Sequence, residues 1–161
     1  MVIVLMGVSG AGKTTIGRML ADAVGWRFCD ADDLHSPTNK AKMAQGIALT
    51  DADRAPWLTA IHDLIATGLA KNLNLVLACS ALKQSYREEI VVDPQRVKVV
   101  YLKGNRALIA ARIAERKHHF MNKNLLDSQF NTLEEPRDVV AVDIDAPPEA
   151  IVANIRQQLG V

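Results

Sequence analysis

At 161 residues, with 49% hydrophobic and 23% charged residues, the chain has the length of one domain and the balance of a globular protein, which excludes a disordered or fibrous chain. A net charge of +1 excludes a general nucleic-acid binder, whose footprint is a strong basic excess, so any basic site must be local. The opening apolar run has no basic leader and is broken by Gly7 and Gly10, so the expectation is a cytoplasmic protein with neither a signal peptide nor a membrane span.

Val2-Ile3-Val4-Leu5-Met6 reads as a buried strand. It feeds Gly7-Val8-Ser9-Gly10-Ala11-Gly12-Lys13-Thr14, which fits G-x-x-x-x-G-K-[ST] at every fixed position. Ile16, Met19, Leu20, Ala23 and Val24 then recur at helical spacing. A strand, a glycine-rich turn and a helix start form a phosphate loop: glycines let backbone N–H groups converge on the ligand, and the helix start adds about +0.5 charge there. Gly7 through Thr14, with Thr15 beside them, are therefore the expected ATP-binding residues. Lys13 reaches the β- and γ-phosphates, and the Thr14 hydroxyl is a Mg²⁺ ligand.

Gly25 stops the first helix, and Trp26-Arg27-Phe28-Cys29 reads as a second strand ending at Asp30-Ala31-Asp32-Asp33. The stretch from Leu34 to about Ala52 reads as a polar excursion over the sheet. Pro56 is a good first-turn residue, so a helix is expected from there to about Lys71, followed by a strand over Leu73–Cys79 and a short helix over Ala81–Val91. Val97–Leu102 forms the fourth strand, Asn105 caps a helix from Arg106 to about Lys117, and Val139–Ile144 is the fifth strand. The last helix starts near Pro147 and carries Ile151, Ile155 and Leu159 on one face. This alternation implies a three-layer α/β domain over 1–161, a parallel five-stranded sheet flanked by helices. Two insertions, about 30–52 and 117–136, are long enough to be a substrate-binding loop and a lid beside the phosphate loop.

Cys29 and Cys79 lack a C-x-x-C partner, and free thiols are expected. Asp30 and Asp32, two apart on an extended chain, are expected to point to different sides and to divide their work. Arg112 and Arg116 are four apart on one helix face. His62 reads as a packing or surface residue.

Asp30-Ala31-Asp32-Asp33-Leu34-His35, with Asn39, Lys42-Met43, Gly46, Asp51, Asp53-Arg54 and Pro56-Trp57-Leu58, closely resembles the gluconokinases of the small P-loop kinase type. Further matches are Cys79-Ser80-Ala81-Leu82-Lys83, Tyr86-Arg87, Tyr101-Leu102-Lys103-Gly104, and His119-Phe120-Met121 through Leu125-Leu126, Ser128-Gln129-Phe130, Leu133-Glu134 and Pro136. The resemblance spans the chain. It implies transfer of the γ-phosphoryl of ATP to the 6-hydroxyl of D-gluconate with Mg²⁺, and a homodimer, for which no residue pattern marks an interface.

By that resemblance Asp30 joins Thr14 at the metal, while Asp32 accepts a hydrogen bond from the attacking hydroxyl and then its proton. Lys13, Asp32 and Arg116 are the catalytic residues, and Arg112 and Arg116 pack on adenine and reach the phosphates. Gluconate brings a carboxylate, so its site needs a cation. Arg54 is the first candidate, with His35, Lys42 and Arg87 as neighbours and His119 and Gln129 as further substrate contacts. The chain departs from the family at His118, where glycine is usual, at Ala48, where proline is common, and at Cys79-Ser80, where an acidic residue would end the strand. Two other readings stay open: a shikimate-type or nucleotide-type kinase, and a P-loop regulator without turnover.

Overall fold

The computed structural model describes residues 1–115 and 123–161, and the side chains of these except 123–125. Its centre is β1 (Val2–Met6), in which every residue is buried. β1 pairs in parallel with β3 (Leu75–Ala78) on one side and β4 (Val97–Lys103) on the other. β2 (Arg27–Asp30) extends the sheet beyond β3 and β5 (Val140–Asp143) extends it beyond β4, giving the order β2-β3-β1-β4-β5. The chain therefore leaves β1 toward one edge and later returns to build the other. The carboxyl end of β1, where the phosphate loop begins, is thus the switch point at which open parallel sheets bind ligands.

Period-two alternation along β1 makes two cores. Ile3 and Leu5 face α1 (Lys13–Val24), α5 (Arg106–Glu115) and α7 (Pro148–Leu159) through Ile16, Leu20, Ile109, Ile151 and Ile155. Val2, Val4 and Met6 face α3 (Asp51–Ala70) and α4 (Gln84–Ile90) through Trp57, Ile61, Ile65, Tyr86 and Ile90. A central strand covered on both faces must be apolar throughout, which is why β1 and β3 show no polar alternation.

Strand limits shift by one or two residues from the sequence reading, α4 begins three residues later than expected, and the two insertions and the start of α3 differ more. The excursion after β2 is ordered: a 3-10 turn over Ala31–Leu34 leads into α2 (Pro37–Ala44), capped by the Ser36 hydroxyl on the Asn39 N–H at 3.1 Å. α3 begins at Asp51 and not at Pro56. Thr50 and Asp53 form a reciprocal capping box, at 3.1 Å onto the Asp53 N–H and 3.0 Å onto the Thr50 N–H. Pro56 sits inside the helix, and the loss of one backbone donor there is outweighed by the cap and the packed face behind it. The second insertion contains α6 (Lys123–Thr132). Asn105 caps α5 as expected, its Oδ1 accepting the Leu108 N–H at 2.8 Å. Both cysteines are free thiols, and burial pushes Cys79 up to about 12. His62 Nδ1 lies 2.8 Å from the Glu89 carbonyl oxygen, a packing contact between α3 and α4. Among the described residues no helix is long and apolar enough to cross a membrane.

Candidate active site

The phosphate loop turns through glycines in the left-handed region. Gly10 has φ +84°, and a Cβ there would lie 2.9 Å from Ile113 Cγ1, so neither the backbone nor the space admits a side chain. Gly12, at φ +91°, occupies the cap position of α1, where no side chain caps the helix. The contrast with α3 is informative, since α1 leaves its first-turn N–H groups for an external anion. Lys13 Nζ donates to the carbonyls of Gly7 at 2.9 Å and Val8 at 3.0 Å, arching back over the loop. The loop is braced from outside by Gly7 N–H on the Ser80 carbonyl at 3.3 Å and Ser9 N–H on Gln129 Oε1 at 2.6 Å.

Thr14 Oγ1 donates to Asp30 Oδ2 at 2.8 Å, bringing the two expected metal ligands together. Asp30 Oδ1 accepts the Asp32 N–H at 3.1 Å, capping the 3-10 turn. On an extended chain residues two apart would share one side, so the reason read from sequence is corrected: the two aspartates diverge because the chain enters a 3-10 turn after Asp30. Asp32 alone of the pair lines the neighbouring cavity.

That cavity, of about 370 Å³, gathers Ser9, Lys13, Asp32, His35, Arg54, Ser80, Tyr86 and Gln129. Met43, Ile47 and Leu49 from the first insertion close one wall, and Ser128 and Thr132 of α6 line another, so both insertions meet at the phosphate loop. His35 is 8% exposed, and its ring stacks on Trp57 with centroids 4.5 Å apart and planes 8° from parallel. Trp57 Nε1 donates to the Ala31 carbonyl at 2.7 Å and thereby pins the turn that carries Asp32. Burial pulls the His35 pKa below 6.5, opposed by Asp32 and aided by Arg54 and Lys40; its buried Nδ1 has no hydrogen-bond partner among the described residues.

Arg54 is held at the cavity by residues that belong to the matching strings but to which the sequence assigns no role. Its Nη1 lies 3.4 Å from the Tyr86 hydroxyl, and its guanidinium sits 5.8 Å from the centre of that ring. Tyr86 donates in turn to Asp51, which also accepts from Lys83 Nζ at 2.8 and 2.9 Å. Hydrogen bonds from Lys83 and Tyr86 hold the Asp51 carboxyl below the usual carboxylate range, so it is an anion that anchors the cluster.

A second, smaller cavity of about 260 Å³ lies across the loop, lined by Gly10, Gly12, Thr15, Arg112 and Pro148. Arg112 Nη2 donates to the Ile144 carbonyl at 2.5 Å, fixing the side chain beside the start of α1. The position suits a nucleotide base, with its phosphates running onto the loop.

Two candidates are drawn elsewhere. Arg87 is buried and donates to the carbonyls of Ala81 at 2.9 Å and Leu82 at 3.0 Å, where it props the β3–α4 loop and does not face the cavity. Lys42 pairs with Asp53 at 2.8 Å and locks α2 onto the cap of α3, and the lysine holds Asp53 down at about 2. Arg116 and His119 lie outside the described residues. Trp57, Tyr86, Asp51 and Lys83 carry no chemical signature of their own, and only their neighbours disclose their part in the site.

The family model described as shikimate kinase matches residues 9–159. A probable gluconokinase of Xenopus tropicalis is 41% identical over 177 residues, covering 99% of this chain and 93% of its own. The crystal structure of a gluconokinase from Sinorhizobium meliloti 1021 superposes with a TM-score of 0.89 at 43% identity, over 98% of this chain and 90% of that one. Shikimate kinase from Aquifex aeolicus, at 19% identity and a TM-score of 0.61 over 99% of this chain and 96% of its own, shares the fold. Loop, cavity and kinship agree: the chain belongs to the gluconokinase family of small P-loop kinases.

Proposed function

We propose that the chain transfers the γ-phosphoryl group of ATP to the 6-hydroxyl of D-gluconate. The observation that carries this reading is the single cavity in which Lys13, Asp32, His35 and Arg54 meet. Phosphoryl transfer through a loose transition state asks mainly for alignment and charge neutralisation. Lys13 exchanges its loop carbonyls for the β- and γ-phosphoryl oxygens. Asp32 accepts the hydrogen bond of the 6-hydroxyl, orients its lone pair toward phosphorus, and takes the proton as the new O–P bond forms and the bond from the γ-phosphorus to the β,γ-bridging oxygen breaks, with ADP as the leaving group.

Arg54 binds the gluconate carboxylate, and His35, held neutral by burial, hydrogen-bonds one of the hydroxyls of gluconate. Thr14 and Asp30 supply hard oxygen donors 2.8 Å apart, which fits Mg²⁺. When bound, that ion neutralises charge on the phosphoryl oxygens. Among the described residues no group of three or more His, Cys, Asp or Glu gathers as a metal cage, in keeping with an ion that also relies on phosphates and water. Arg112 packs on the adenine. Arg87 and Lys42 are left to the framework, because Arg87 Nη1 already holds the Ala81 and Leu82 carbonyls and Lys42 Nζ already pairs with Asp53.

The test is an ADP-release assay across D-gluconate, stereoisomeric sugar acids, shikimate and nucleoside monophosphates. Turnover on gluconate should exceed all others, with a phosphomonoester on the terminal primary alcohol identified by ³¹P NMR. Preferential turnover of shikimate or a nucleotide would overturn the acceptor assignment, and no turnover on any acceptor would favour a regulator.

A further inference from the structure

Gln129 stands where α6 crosses the phosphate loop, and one half of its amide is committed. Its Oε1 accepts the Ser9 N–H at 2.6 Å. A backbone N–H only donates, so the orientation of the amide follows: oxygen toward the loop, Nε2 away from it. That Nε2 makes no hydrogen bond among the described residues, and Gln129 forms part of the cavity wall with Ser9, Lys13 and Asp32. Gln129 is half-buried, so its remaining amide donor pair lacks the full solvation of an exposed one.

A donor one amide width from the loop, in a wall shared with Lys13, matches an acceptor-only anionic oxygen better than a hydroxyl. We propose that Gln129 Nε2 donates to the γ-phosphoryl oxygen of bound ATP. The bond makes Gln129 a direct ligand of the transferring group, bridging the loop and α6. ADP lacks that oxygen, so the contact also distinguishes ATP from product. The inference rests on the kinase reading but not on which acceptor is used.

The experiment compares Gln129→Glu and Gln129→Met with the unaltered chain. Calorimetry without acceptor gives the affinities of Mg²⁺–ADP and of a Mg²⁺–non-hydrolysable ATP analogue, and steady-state assays give kcat and KM. Glu preserves the shape and an acceptor for Ser9 N–H but replaces the donors with negative charge. Its ADP affinity should stay within about twofold, while analogue affinity and kcat fall by about 10- to 100-fold, the size of a lost hydrogen bond to a charged group. Met lacks both bonds but adds no repulsion, so its analogue affinity should fall less than that of Glu. Lowering the pH should restore the Glu variant relative to the unaltered chain, because a protonated carboxyl regains a donor. Near-normal Glu with an impaired Met variant, losing ADP and analogue alike, would show a loop latch and overturn the proposal. Unchanged analogue affinity with a raised KM for gluconate would overturn it too, by turning the amide toward the acceptor. Should Met fail to fold, the ratio of analogue to ADP affinity in Glu decides alone.

Discussion

Replacing Trp57 by Phe isolates one hydrogen bond at the centre of the candidate site. The phenyl ring can still stack on His35, but it cannot donate to the Ala31 carbonyl, which the indole Nε1 reaches at 2.7 Å. Ala31 is fully buried, so no water replaces the lost donor. An orphaned buried acceptor costs about 1–3 kcal/mol. For a chain of this length each kcal/mol lowers Tm by about 2–4 °C, so calorimetry should record a fall of about 2–12 °C. The effect should also reach the chemistry, because Asp32 follows Ala31 in the same turn. A displacement of about 1 Å at a reacting group can cost 10²-fold, so kcat on gluconate should drop by about 10-fold or more. ATP affinity should hold, since the bond that is removed runs to Ala31 and not to the phosphate loop. A variant with unchanged Tm and kcat would refute the claim that this bond fixes the turn carrying Asp32.

Lys13→Ala should lower kcat by about 10² to 10³ with the fold intact by circular dichroism, as expected for loss of a preorganised stabiliser of the phosphoryl group. Asp32→Asn should cut the rate by about 10² or more while sparing ATP affinity, whereas Asp30→Asn should raise the Mg²⁺ concentration needed for half-maximal rate. Identical Mg²⁺ titrations of the two variants would dismiss the division between them. Arg54→Gln should raise KM for gluconate by about 10-fold or more and leave KM for ATP alone, as expected for a lost carboxylate partner. For His35 burial lowers the folded pKa below 6.5, so the unfolded chain takes up the proton first as pH falls. Its stabilising contribution is complete above about 6.5 and is lost on acidification from there toward the folded value. Unfolding midpoints between pH 8 and 5 should therefore fall less in His35→Gln than in the unaltered chain.

The phosphate loop was legible because its requirements are local: glycine torsions, an uncapped helix start, and a lysine and threonine at set offsets. The sheet was legible because a strand covered on both faces has no freedom to be polar, and β1 is such a strand. The start of α3 was a conflict between two local signals. Thr50-x-x-Asp53 satisfies two backbone donors, while Pro56 removes only one, so the capping box prevails. α2 lay beyond such reading because its moderate amphipathicity gains meaning only once Lys42 meets Asp53 and Asn39 meets the Asp53 carbonyl at 2.7 Å.

Arg54 and Arg87 show where composition stops and geometry begins. Both are arginines in the strings that resemble the family, yet one is turned into the cavity by Tyr86 and the other is consumed by two carbonyls of its own loop. Ser9 and Gln129 are 120 positions apart, and nothing in either neighbourhood demands the other. Sequence by itself therefore determined the phosphate-binding element and the layered sheet, since each rests on short-range torsions and burial patterns, and it pointed to the family through the resemblance of its residue strings. Only the tertiary structure decided which cations line the cavity, what holds Asp32 in place, and how α6 is joined to the loop, because those depend on side chains meeting across elements whose relative placement no local pattern encodes.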